Sequence, residues 1–316
     1  MRFVMVGAGG VGGLIGGLLQ RAGEEVAFLC RGRQLAALRE KGLAVESPRG
    51  TFHLPRVEAS DDPAALAPAD VVLVAVKGWQ VAEVAPRLVP LLRPEGFAVP
   101  LENGVESAGH LAAALGEERV AGGLCFLLSR IEEPGRVVHA GESLKVTVGE
   151  RRGPTGSPRL EALCATLRAA KVDAVVAPDI DAATWEKFLF IEPFGAAGAV
   201  TRAPLGVLRR GRETRELLVA AMEEVASLAR ARGVRLPGGA VARALDAIDR
   251  MQEGATASMQ RDLVAGRPSE LFDQTGAVVR LAREAGLPVP VHAFLWAALL
   301  PQEEAARRAA GLPAAR

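Results

Sequence analysis

Six residues near the start of the chain, Gly7-Ala8-Gly9-Gly10-Val11-Gly12, carry glycines at G-x-G-x-x-G spacing between an apolar run, Phe3-Val4-Met5-Val6, and a helix-like stretch from Leu14 to Arg21. Glycine serves three ends in such a turn: a tight bend, close approach of the backbone to a pyrophosphate, and close packing of helix on strand. The unpaired N–H groups that open the helix then face the anion. The glycines alone would also describe an ordinary loop; the strand before and the helix behind make this a dinucleotide site. The next apolar run, Glu25 to Cys30, ends at Arg31 with Arg33 close behind, where a carboxylate would suit the free ribose hydroxyls of NAD. A guanidinium matches the extra 2′-phosphate instead, so the sequence predicts NADP(H). The plainer alternative is a solvated cation in an arginine-rich loop.

Proton chemistry has two candidates. Lys187 lies in Trp185-Glu186-Lys187-Phe188-Leu189-Phe190-Ile191, a helical stretch apolar around most of its circumference. Burial disfavours an ammonium and makes its proton easier to give up, which suits a general acid at a carbonyl undergoing reduction. A snorkelling side chain, or one paired with Glu186, would read the same way. Of the 38 basic residues only five are lysines, so arginine fills most places where any cation serves and a remaining lysine stands out. Glu270, after Pro268-Ser269, is expected to open a helix running through Val278-Val279, where a carboxylate also simply favours the helix dipole. Ser258, in Ala257-Ser258-Met259-Gln260, has the position of either a ligand or a capping residue.

The elements that must position these groups follow an α/β rhythm. Val71 to Val76 is a β-branched run expected of a strand covered on both faces, with Phe97 to Leu101 and Val120 to Phe126 as further strands. Ligands of open α/β sheets bind beyond the carboxyl ends of the strands, which puts Lys77, Gln80 and Asn103 on the cofactor side. Arg136–His139 and Leu144–Val148, joined by Gly141-Glu142-Ser143, are expected to form a hairpin closing that sheet. Beyond Pro178 only helical periods remain, beginning with 181–191, where Pro193 should interrupt, and ending near Leu300 with a frayed tail from Gln302 to Arg316. The expectation is a Rossmann-type doubly wound parallel sheet in residues 1–177 and an all-helical domain in 178–316.

Composition narrows the function classes. The 316 residues carry a net charge of +1 and are 49% hydrophobic, which gives no basic surplus for nucleic acid or an anionic membrane. A strand starting at Arg2 and the lack of any long uninterrupted apolar segment lead us to expect neither signal peptide nor membrane span. Cys30, Cys125 and Cys164 are too few and too scattered for a disulfide framework, and no His or Cys spacing suggests a metal. A cytoplasmic protein is expected.

Taken in order, Gly7 to Gly12, Arg31, Val76-Lys77-Gly78-Trp79-Gln80, Glu102-Asn103-Gly104-Val105, Trp185-Glu186-Lys187, Ser258-Met259-Gln260-Arg261-Asp262 and Gly266-Arg267-Pro268-Ser269-Glu270-Leu271 resemble the ketopantoate reductase family, from residue 1 to about residue 300. The resemblance implies an NADPH-dependent reduction of 2-dehydropantoate to pantoate, in pantothenate and coenzyme A biosynthesis. It implies that Lys187 protonates the ketone oxygen and that Glu270 lies near the nicotinamide ribose and the reacting group. It further implies that Lys77, Gln80 and Asn103 line the cofactor side, that Ser258 holds the substrate carboxylate, and that a homodimer is possible.

The chain departs from that pattern at three positions. Asparagines expected four and eight residues after the catalytic lysine are Ile191 and Gly195, and one expected before Gly276 is Thr275. Each polar partner lost from a buried substrate group costs about 1–3 kcal/mol. These departures keep open a different 2-keto acid as substrate, or a protein that binds NADPH without turnover. Glu192 is either a replacement polar group or an ordinary solvated side chain.

Overall fold

The computed structural model describes residues 1–153 and 156–314. They fall into two units, Met1–Glu102 with Glu106–Ile180, and Asn103–Val105 with the chain from Asp181 onward.

The first unit begins β1 (Arg2–Val6), α1 (Gly10–Arg21), β2 (Glu25–Leu29), α2 (Gly32–Lys41), β3 (Leu43–Glu46), β4 (Phe52–Leu54) and β5 (Glu58–Ser60). It continues with β6 (Ala69–Val74), α3 (Gly78–Val84), β7 (Leu92–Pro100), α4 (Ser107–Leu115), β8 (Ala121–Glu133), β9 (Arg136–Glu150), α5 (Pro158–Ala169) and β10 (Asp173–Val176). Alternation along the strands sorts the side chains into two cores. Phe3 and Met5 join Leu14, Ile15 and Leu19 of α1 in one layer, while Val4 and Val6 join Val81, Leu88 and Leu111 in the other. The resulting sheet is parallel throughout, in the order β5-β2-β1-β6-β7, as a doubly wound dinucleotide fold requires.

The expected hairpin between Arg136 and Val148 does not form. Both pieces belong to the single strand β9, and Gly141-Glu142-Ser143 sits at a register shift opposite Leu127 and Leu128. Its antiparallel partner is β8, and the turn is at Pro134-Gly135. The pair belongs to a second sheet, in the order β10-β9-β3-β4, rather than closing the first. Long-range pairing with β8 and β3 overrides the local turn signal of the glycine.

The second unit is helical: α6 (Ile180–Thr201), α7 (Leu205–Arg210), α8 (Arg212–Ala231), α9 (Ala240–Arg250), α10 (Ser258–Val264), α11 (Thr275–Glu284) and α12 (Pro290–Ala309). Helix α6 continues through Pro193 without interruption, contrary to expectation. Phe188, Leu189, Phe194 and Ala197 are buried on either side of it, and that burial outweighs one missing N–H. Helix α12 likewise continues to Ala309, so the tail expected to fray from Gln302 is ordered to that point, with Glu303 and Arg307 buried. Ala315 and Arg316 lie outside the described residues. No described helix is long and apolar enough to cross a membrane.

Candidate functional site

Gly7, at the end of β1, has φ +94°, and a Cβ there would lie 2.7 Å from the Ala75 carbonyl oxygen. A Cβ on Gly12 would lie 1.9 Å from the carbonyl oxygen of Gly7, so helix and strand meet backbone to backbone. Gly9, the N-cap of α1, meets only the Ala75 carbonyl oxygen, at 4.0 Å, leaving its outer side open to a ligand. The first turn of α1 carries no acidic side chain, so nothing in the helix itself neutralises its N-terminus. Gln34 steadies the turn by donating from Nε2 to the Ala8 carbonyl at 2.8 Å while its Oε1 accepts from the Gly135 N–H at 3.1 Å. Nothing in the local sequence around Gln34 signals that bridge.

A cavity of about 430 Å³ opens where β1 and β2 end at Val6 and Leu29. Of the residues expected at the cofactor, Gly7, Ala8, Gly9, Arg31 and Gln80 line it. Arg31 is exposed at the N-cap of α2. Asp61, Glu83 and Arg87 line the cavity too and were not anticipated; Arg87 donates to the Asp61 carbonyl at 2.8 Å. Burial pushes the Cys30 thiol on the cavity wall up to about 11 and keeps it protonated. Cys30, Cys125 and Cys164 are all free. A glycine cradle that any Cβ would fill, an open helix N-terminus and an adjoining cavity edged by a guanidinium fit a phosphorylated dinucleotide.

Lys77 is the N-cap of α3, and Gln80 Oε1 accepts from the Lys77 N–H at 3.2 Å. The Lys77 ammonium lies 5.9 Å from the Trp79 ring centroid. Asn103 belongs to the helical unit, as do Gly104 and Val105. Gly104 has φ +108° and packs so closely that a Cβ would lie 3.0 Å from the Asp273 carbonyl oxygen, and Val105 joins the helical core.

In the helical unit Lys187 sits on α6 with 9% of its surface exposed. Ser258 is the first residue of α10 and half-buried; the N-cap position falls to Ala257, so Ser258 is not the capping residue. Glu270 is buried, and it does not open a helix as expected, because α11 starts only at Thr275. It lies in a turn in which the Gln274 N–H donates to the Glu270 carbonyl at 3.0 Å and Gln274 Nε2 to Glu270 Oε2 at 3.4 Å.

The three substituted positions have distinct surroundings. Ile191 packs against the helical core. A Cβ on Gly195 would lie 3.3 Å from both Ala257 Cβ and Met259 Cε, so α6 and α10 touch there. Thr275 Oγ1 donates to Glu192 Oε1 at 2.7 Å. Glu192 is therefore not solvated: its other oxygen faces His292 Nε2 at 2.7 Å, and His292 Nδ1 faces Glu224 Oε2 at 2.6 Å. Burial alone would strip the His292 proton, but Glu192 and Glu224 more than reverse that and raise the imidazole to about 9. Hydrogen bonds from His292 and Val291 outweigh burial at Glu224 and hold its carboxyl below the ordinary range. The signal for this chain of groups was a carboxylate inside a thirteen-residue apolar stretch, which has to find a partner when buried.

Comparison with known proteins accounts for both units. Residues 3–153 match the family model described as ketopantoate reductase PanE/ApbA, and residues 179–303 match its C-terminal counterpart. The chain is 33% identical to a 2-dehydropantoate 2-reductase of Halobacterium salinarum over 92% of this chain and 95% of that one. It is 29% identical to an uncharacterised oxidoreductase, YkpB, of Bacillus subtilis over 95% of this chain and 98% of that one. The crystal structure of a 2-dehydropantoate 2-reductase from Geobacter metallireducens superposes with a TM-score of 0.87 at 34% identity, covering 95% of this chain and 99% of that one. One family thus explains the parallel sheet and the helices together, and the chain, an oxidoreductase working with NADP(H), belongs to the ketopantoate reductase family.

Proposed function

We propose that the protein reduces a 2-keto acid with NADPH, with ketopantoate as the leading substrate and pantoate as product. Gly7 to Gly12 and the first N–H groups of α1 hold the pyrophosphate, and Arg31 holds the 2′-phosphate. Lys77, Gln80 and Asn103 complete the cofactor contacts. Gln80 Oε1 is already engaged by the Lys77 N–H, so its amide NH₂ is the group left for the cofactor. Ser258 donates to the substrate carboxylate. Bound NADPH supplies the hydride that reaches the carbonyl carbon. Lys187 Nζ hydrogen-bonds to the ketone oxygen and gives it a proton, and Glu270 orients the reacting groups. A homodimer in the cytoplasm belongs to the same reading, and light scattering of the purified protein checks the oligomer.

The observation that carries this reading is the withdrawal of Lys187 from solvent on α6, in a chain where only five of the 38 basic residues are lysines. The test is steady-state oxidation of NADPH with a panel of 2-keto acids. Lys187→Ala should lower kcat by about 10²–10⁴-fold, the contribution of a positioned general acid, and leave NADPH binding nearly intact. Tight NADPH binding without turnover on any acid would replace the reductase with a binding module. A second substrate reading is favoured by Gly195: any side chain there meets Ala257 Cβ and Met259 Cε at 3.3 Å, so an asparagine would need those neighbours to shift. A different 2-keto acid would then give the highest kcat/KM in the panel.

A further inference from the structure

Glu270 is presented by a turn ahead of α11, with the Gln274 N–H to Glu270 carbonyl bond in place of a full helical ladder. The structure supplies two anchors, one on each side. Before it, the fully buried Ser269 donates its N–H to Glu303 Oε2 at 2.9 Å and its hydroxyl to the same oxygen at 2.6 Å. Arg307 Nε donates to Glu303 Oε1 at 2.9 Å, and Ser269 Oγ accepts the Leu271 N–H at 3.2 Å. After it, Gln274 reaches Glu270 directly, and the neighbouring Thr275 donates to Glu192, itself held by His292.

We propose that Glu192 and Glu303, acting through Thr275 and Ser269, are positioning residues that clamp the turn 269–275 and thereby aim the Glu270 carboxylate for the reaction. Both anchor carboxylates are fully buried and bonded to a cation or an imidazole on the side away from the turn, so neither can swing to follow a moving loop. Charge-assisted hydrogen bonds of this kind are short and directional, which suits them to fixing a geometry. Thr275 occupies one of the three positions where the chain departs from the family pattern, and its hydroxyl is turned inward to the clamp. The inference rests on the role proposed above for Glu270.

The test uses the full-length enzyme and the 2-keto acid it reduces best. Thr275→Val keeps the shape and removes the donor, and Thr275→Ser keeps the donor. Thr275→Val should lower kcat by about 10-fold or more, as small misplacements of reacting groups do, while KM for NADPH changes little. Thr275→Ser should restore kcat to within about 3-fold, and Ser269→Ala should repeat the Thr275→Val result from the other anchor. In a Glu270→Gln background, Thr275→Val should cost almost nothing further, because the group it aims is already gone. A kcat unchanged in Thr275→Val, or an equal loss with and without Glu270, overturns the clamp. A Glu270→Gln enzyme with normal kcat overturns the assignment of Glu270 itself, a separate failure that the same set of variants reveals.

Discussion

Glu192 and His292, 100 residues apart in the chain, meet at 2.7 Å with neither side chain exposed. Helix α6 brings the carboxylate and the first turn of α12 brings the imidazole, and Glu224 of α8 receives the other ring nitrogen at 2.6 Å. Three helices are thus tied by one buried cation between two anions.

Removing that cation should be costly. His292→Leu leaves Glu192 buried without its counter-charge, and breaking a buried pair in this way costs about 3–5 kcal/mol. Urea unfolding at pH 7 measures it. A loss below about 1 kcal/mol, typical of an exposed pair, would show that the ring contributes only packing.

The same group makes stability depend on pH in a defined direction. His292 is raised from 6.5 to about 9 by its two carboxylates, against the effect of burial. Below pH 6.5 the ring is protonated in folded and unfolded chains alike, and the extra stabilisation is fully present. Between 6.5 and about 9 the unfolded chain gives up its proton first, so the stabilisation drains away and is gone above about 9. The urea midpoint of the wild type should fall across this window, and that of His292→Leu should lack this component.

Arg31 separates the two nicotinamide cofactors. Arg31→Ala removes a charge-assisted partner for a 2′-phosphate, worth about 1.5–3 kcal/mol, so NADPH affinity should fall by roughly 10- to 100-fold. NADH affinity should change little. Fluorescence titration of both cofactors decides it, and equal losses would remove Arg31 from the 2′-phosphate.

Gly12 tests the cradle by geometry alone. The atom that a Cβ would strike at 1.9 Å is the backbone oxygen of Gly7, which cannot rotate away as a side chain does. Gly12→Ala should therefore separate α1 from β1, lose about 1–3 kcal/mol or more of stability, and weaken NADPH binding. Thermal unfolding with and without NADPH reads both effects. An unchanged transition that NADPH still raises would contradict the contact.

Sequence alone determined the parallel sheet, the glycine turn, the helical second half and Lys187 on a buried helix, because each is a matter of local periodicity or residue type. Phe3 and Met5 against Val4 and Val6 declare two covered faces, and three glycines at fixed spacing leave few alternatives. Only the tertiary structure decided that Arg136 to Glu150 is one strand, that α6 runs through Pro193, and that Glu270 sits in a turn. In each case contacts distant in sequence outweigh a local signal: pairing with β8 overrides a glycine, and burial overrides a proline. The partnership of Glu192, Thr275, His292 and Glu224 was beyond reach for the same reason. A buried carboxylate must find a partner, but nothing near it in the chain says which side chain the folding of three helices will bring to it.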